Sequence, residues 1–156
     1  MEVTKSFEST EARFGAAGPL LLALYRGSAS AAMLNELDRT QQSLLERFPR
    51  ISTLTVIGQA ASILKGNEQV RSRSVELSKK YEKQVLGSAI IVITKGLGAV
   101  MVRTFLSGFF LLSKAETPMK TFSTIAEGLS WVQALPGQDV GVKTGVTVAD
   151  IERFIA

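Results

Sequence analysis

Residues 85–112 read VLGSAIIVITKGLGAVMVRTFLSGFFLL, and the change of period inside this stretch decides the fold. From 88 to 94 the residues Ala89, Ile90, Ile91, Val92 and Ile93 run without alternation and are mostly β-branched, which is how a strand buried on both faces reads. Gly96 and Gly98 break the run. From Ala99 the apolar positions recur at helical spacing: Val102, then Phe105 or Leu106, then Phe109, with Leu112 closing the stripe. The stretch therefore reads as strand, tight turn and buried helix. Residues 87–112 are numerous enough to cross a bilayer, but Lys95, Arg103 and several glycines lie among them. A buried strand followed by a buried helix is the better account, and no integral membrane span is expected.

Working outward, residues 51–57 (ISTLTVI) and 20–25 (LLLALY) form the strands before it, and residues 3–7 a short edge strand, with 15–19 as a turn after that edge. Residues 31–48 place Leu34, Leu37, Leu44 or Leu45, and Phe48 on one helical face, with Ser28 or Ser30 as the N-cap and Pro49 as the stop. A second amphipathic helix runs from Asn67 to about Gln84, its narrow apolar face made of Val70, Ser74, Leu77 and Tyr81. Residues 59–66 are open between a helical turn and a loop. After the central stretch come a short strand over 119–123 and a helix over 125–135, where Thr124 and Glu127 make a capping-box pattern and Pro136-Gly137 ends the run. Residues 138–145 are glycine-rich and expected to be irregular, and 147–156 to be a short helix docking through Ile151 and Phe154. Strands alternate with helices throughout, which points to an α/β fold with a mostly parallel sheet. The domain is placed at 1–137, with 138–156 as a C-terminal extension.

Composition narrows the chemistry. The 156 residues carry 46% hydrophobic and 21% charged side chains, enough apolar surface for an ordinary core. Cysteine and histidine are both absent, which removes thiolate nucleophiles, disulfides, the commonest general base and the usual transition-metal ligands. Carboxylate or lysine chemistry and an oxygen-ligated Mg²⁺ stay formally open, but no paired-carboxylate motif supports them. The expectation is a non-enzyme with no cofactor and no metal. The first residues carry Glu2, Glu8 and Glu11 and do not read as a secretory leader, so a cytoplasmic location is expected. The net charge of +4 is dispersed. Arg71, Arg73, Lys79, Lys80 and Lys83 share a helix with Glu68, Glu76 and Glu82, a solvated face rather than a nucleic-acid surface.

Two places stand out as candidate sites. Lys95, Gly96, Gly98 and Arg103 surround the turn after the central strand, where an anion could contact backbone N–H groups. The full G-x-G-x-x-G is not met, because position 101 is Met, and a structural turn is the preferred reading. The second place is the helix over 99–112. Apolar residues surround most of its circumference, and Met101, Phe105, Phe109, Phe110 and Leu112 form a candidate partner or ligand surface. It must be covered by the rest of the chain, a second copy, a lipid or a ligand.

The order of elements and the segment K-T-F-x-x-x-x-E-G-L-x-W-V at 120–132 resemble small bacterial STAS/SpoIIAA-like proteins, whose terminal segment reads F-x-x-x-x-E-A-L-x-W-L; Val102-Arg103-Thr104-Phe105-Leu106-Ser107-Gly108 resembles the helix before it. The resemblance covers about residues 20–135. It implies a four- to five-stranded, mostly parallel sheet with helices packed on it. It also implies a non-enzymatic regulatory module of a bacterial signalling system, acting through contacts with a protein partner or with itself as a homodimer. Anti-sigma-factor antagonists of that fold carry D-S-S-G at a helix start after a strand; here residues 58–66 read GQAASILKG, so no phosphoacceptor is carried over. The fold is also related to lipid-carrying CRAL-TRIO domains, which implies the alternative of a carrier or sensor of a lipid or other apolar small ligand.

Overall fold

A computed structural model describes residues 1–58, 68–93, 95–114 and 116–156, with the backbone alone at positions 101, 105, 108 and 110–113. The strands are β1 (Thr4–Glu8), β2 (Ala12–Ala17), β3 (Leu20–Tyr25), β4 (Ile51–Ile57), β5 (Val85–Val92) and β6 (Met119–Phe122). The helices are α1 (Ala31–Arg47), α2 (Glu68–Tyr81), α3 (Leu97–Ser113), α4 (Ile125–Gln133), α5 (Val140–Gly145) and α6 (Val148–Ile155). The expected strand–turn–helix over 88–112 is therefore β5, a left-handed turn at Gly96 (φ +72°) and α3. The reading of 59–66 and the Asn67 cap lie outside the described residues.

Among the described residues the strands form one sheet in the order β1-β2-β3-β4-β5-β6. The first three make an antiparallel meander, and β3 to β6 are parallel. The fold is α/β, but the sheet is six-stranded and mixed where four or five mostly parallel strands were expected. The additional strand is β2, in the segment whose Gly15 reads as the beginning of a turn. Because β3 to β6 are laid down in one direction across the sheet, right-handed crossovers put α1, α2 and α3 on a single face. The opposite face is left for the end of the chain.

That division appears in the packing. On β4, Leu54 and Val56 point to the face covered by the C-terminal helices, where they meet Leu129, Val132, Val142, Ile151 and Phe154. Gln138, itself buried, donates from Nε2 to Ser52 Oγ at 3.0 Å and to the Val132 carbonyl at 2.8 Å, tying this segment to the sheet. Residues 138–145 are thus not irregular: Asp139 caps a short helix by accepting from Val142 N at 3.1 Å, and Thr147 with Asp150 forms a capping box for α6. Gly128 brings α4 close to the sheet, since a Cβ there would lie 2.9 Å from Ile91.

On the other face, Leu21, Ile51 and Val85 pack with Leu34 and Leu44 of α1 and Val70, Leu77 and Tyr81 of α2. Ile57, Ile90 and Val92 pack with Ala99, Val102 and Leu106 of α3. The two amphipathic helices are tied by Asp38, which accepts from Arg73 at 3.2 Å, from Lys80 at 2.9 Å and from the Tyr81 hydroxyl. Two of the basic residues of α2 are thereby spent on a contact between helices. Among the described residues no helix is long and apolar enough to cross a membrane.

Candidate functional site

The helical layer does not close completely on the sheet. Between α1, α2, α3 and the strands beneath them lies a cavity of about 200 Å³. Its floor comes from β3, β4 and β5, and its shape follows from their register. Residues alternate sides along a strand, so Thr53, Thr55 and Ile57 face the cavity while Leu54 and Val56 face away. In β5 a register shift between the pairs Ile51↔Val85 and Thr53↔Ser88 inserts an extra residue. The bulge puts Ser88 and Ile90 on the same side as Val85. Ser88 thus sits beside Thr53, and the Thr53 hydroxyl donates to Ser88 Oγ at 2.7 Å.

The roof is made by the inner faces of three helices: Leu34, Leu37 and Gln41 of α1, Ser74, Leu77 and Ser78 of α2, and Leu106 and Phe109 of α3. The wall is mostly apolar, and no Asp, Glu, Lys or Arg contributes to it among the described residues. Its polar groups are hydroxyls and one amide. Gln41 is 8% exposed and its Oε1 is buried without a hydrogen-bond partner. Burial pushes the Tyr25 phenol well above its ordinary range, so it stays neutral. Tyr81 also reaches the cavity, but its hydroxyl is held by Asp38; burial and then that hydrogen bond raise its pKa. Asp38 is stabilised in return: burial opposes its ionised form, but the hydrogen bonds from Tyr81 and Lys80 outweigh it and lower its pKa.

The candidate surface on α3 divides. Phe109 is half-buried and lines the cavity, whereas the side chains of Met101, Phe105, Phe110 and Leu112 lie outside the described residues. Among the described residues of the helix, Leu97 is 83% exposed and Val100 57% exposed, beside Ile93 just past the end of β5. The sequence reading does not single these out, because the helical stripe draws attention to the later turns.

Lys95, Gly96, Gly98 and Arg103 lie at the entry and in the first two turns of α3. Gly96 accepts at its own carbonyl from Ala99 N at 3.1 Å and Val100 N at 3.3 Å, closing the first turn on itself. Arg103 is directed to Ser123 Oγ at 3.2 Å, on the loop before α4. Lys95 is exposed and makes no ion pair among the described residues.

Compared with known proteins, the chain matches no family model, no curated protein and no solved structure.

Proposed function

We propose that this protein is a non-enzymatic regulatory module with a STAS-like sheet that holds a small, mostly apolar ligand between β3–β5 and α1–α3, as a sensor or carrier of it. The observation that carries the reading is a cavity of about 200 Å³ whose wall, among the described residues, is apolar and uncharged apart from a few polar side chains, Thr53, Thr55, Ser74, Ser78, Ser88 and Gln41 among them. A site with apolar walls and a few convergent polar groups is how small-molecule sites are built. The chain's lack of histidine and cysteine, and the lack of charge in the wall among the described residues, argue against catalysis there. The test is native mass spectrometry on protein prepared without denaturant, followed by amide-resolved NMR with toluene as a neutral probe. A bound small molecule, or toluene shifts confined to Thr53, Thr55, Ser74 and Ser88, is the expected result. A clean mass together with an unmoved spectrum would overturn the reading.

A second reading is favoured by a different observation. Leu97, Val100 and Ile93 expose apolar surface at the β5–α3 corner, and such surface fits a contact with a protein partner or a second copy of the chain. The two readings are compatible, because α3 carries both the corner and Phe109 on the cavity wall. A ligand that moves α3 would alter the corner.

A further inference from the structure

The shape of the cavity carries an inference that rests on the ligand-binding reading above and deepens it. Its long axis follows the strands. On α2 the wall runs from Val70 through Ser74 and Ser78 to Tyr81, a span of ~16 Å along a helix axis. On β4 beneath, it runs from Thr53 to Ile57, ~13 Å of extended strand.

The other two dimensions are small. The helices α1 and α3 flank α2 and wall the cavity with Leu34 and Leu37 on one side and Leu106 and Phe109 on the other. Neighbouring helix axes stand only about 8–10 Å apart, so the space beneath α2 is narrow. Its depth is that of one missing layer of side chains. Ser74 and Ser78 stand in the inward stripe of α2 with Leu77, and Thr53, Thr55 and Ser88 stand on the floor, where larger side chains would close the gap. The result is a channel along the strands and not a round chamber. Its hydroxyls do not oppose an apolar occupant: Thr53 donates to Ser88 at 2.7 Å, and a serine within a helix can turn its hydroxyl to the carbonyl one turn back.

Volume sets the amount of ligand. An apolar cavity of about 150 Å³ accepts benzene, with its six carbons, so about 200 Å³ takes about eight. Set in a line, those carbons use the length of the channel. Closed into a ring, they press on its sides and leave its ends empty. We infer that the cavity binds one unbranched aliphatic chain of about eight carbons, lying extended between the floor of β4 and β5 and the inner face of α2. Contact is made methylene by methylene, so the chain is recognised by its length.

The probes are straight-chain alcohols from 1-butanol to 1-decanol, with cyclooctanol beside 1-octanol as the same number of carbons in compact form. Each is titrated into the whole chain at pH 7 and followed by amide chemical shifts, with isothermal calorimetry for affinity. Affinity is expected to rise about fourfold per added methylene up to about eight carbons and then to level off. Against cyclooctanol, 1-octanol is expected to bind about tenfold more tightly, because the ring forgoes roughly two methylenes' worth of contact at the ends of the channel. In Ser74→Leu, whose added side chain stops the channel part-way, the levelling is expected at a shorter chain while 1-butanol binds as before. Cyclooctanol binding as tightly as 1-octanol would overturn the channel while leaving the cavity reading intact. A rise that continues unbroken to 1-decanol would overturn the enclosed length, and levelling unchanged in Ser74→Leu would overturn the placement beneath α2. No shift at the cavity amides with any alcohol would overturn the cavity reading as well. The comparison of 1-octanol with cyclooctanol needs no substitution, so it stands even where Ser74→Leu folds poorly.

Discussion

Thr53 and Ser88 face each other across the β4–β5 pair and share a 2.7 Å hydrogen bond under the helices, on the side of the sheet where a closed core would place two aliphatic residues. The back of the same strand shows the contrast: Leu54 and Val56 are packed into a continuous apolar cluster. Removing one hydroxyl strands the other, whereas removing both leaves nothing unsatisfied. Thr53→Val and Ser88→Ala are each expected to cost about 1 kcal/mol, with the double variant well below their sum. Urea unfolding of the four proteins checks this, and strict additivity would show that the pair is already solvated independently.

Asp38 is the electrostatic tie between α1 and α2. Its carboxyl is held below its ordinary value of 3.8, burial opposing the ionised form and the hydrogen bonds from Tyr81 and Lys80 favouring it more strongly. A carboxylate with a depressed folded-state pKa contributes stability that is present above its unfolded value and lost as pH falls through the folded one. The native chain is therefore expected to lose stability as pH drops below about 4, partly through Asp38. Asp38→Asn should cost about 1–3 kcal/mol at pH 7 and give a shallower acid limb. Denaturant midpoints at pH 7 and across pH 2.5–4.5 measure both effects, and parallel acid limbs would remove Asp38 from the account.

The parts of the fold carried by periodicity were legible before the structure, and those carried by tertiary contact were not. The apolar spacing of Leu34 and Leu44 marks α1, and Ser30 caps it by accepting from Met33 N at 3.2 Å. The Thr124–Glu127 pattern marks α4, with Glu127 N donating to Thr124 Oγ1 at 3.2 Å. The strand β2, by contrast, reads ARFGAA, where one charge, one aromatic and a glycine among alanines give too little alternation to mark a strand. The α5 helix hides in a glycine-rich segment, although Asp139 three residues before Val142 was a readable cap. The cavity was the least legible feature. Thr53 and Thr55 read simply as strand residues, and their partnership with Ser88 depends on a bulge that only the paired strands reveal. The contact of Arg103 with Ser123, twenty residues further on, was not legible either, because the two meet only in the folded chain.

Gly15 shows why β2 escaped notice and offers a sharp test. A Cβ at this position would run into the Thr4 carbonyl of β1 and lie 2.9 Å from the Phe154 ring of α6. The obstruction is a backbone atom on one side and a core ring on the other, so neither yields cheaply. Gly15→Ala is expected to destabilise the chain by about 1–3 kcal/mol, with β1 and α6 losing hydrogen-exchange protection before the parallel strands do. Uniform protection loss, or unchanged stability, would show that the meander edge is less tightly fitted than this geometry requires.

On the proposed reading the β5–α3 corner serves association and the cavity serves binding, and substitutions on α3 separate the two. Leu97 and Val100 lie three residues apart on the first turn of α3 and are largely exposed, so polar substitution there removes apolar surface without opening the core. Phe109, on the same helix, lines the cavity instead. Leu97→Glu with Val100→Glu is expected to abolish self-association seen by light scattering across a dilution series while changing stability by less than about 0.5 kcal/mol. Phe109→Ala is expected to leave association intact and weaken binding of a neutral aromatic probe. If the Glu pair left an associated chain unchanged, the contact would have to lie elsewhere on the molecule. If Phe109→Ala dissolved it instead, the cavity wall and the association surface would be one structure, and α3 would have to move outward for the chain to associate.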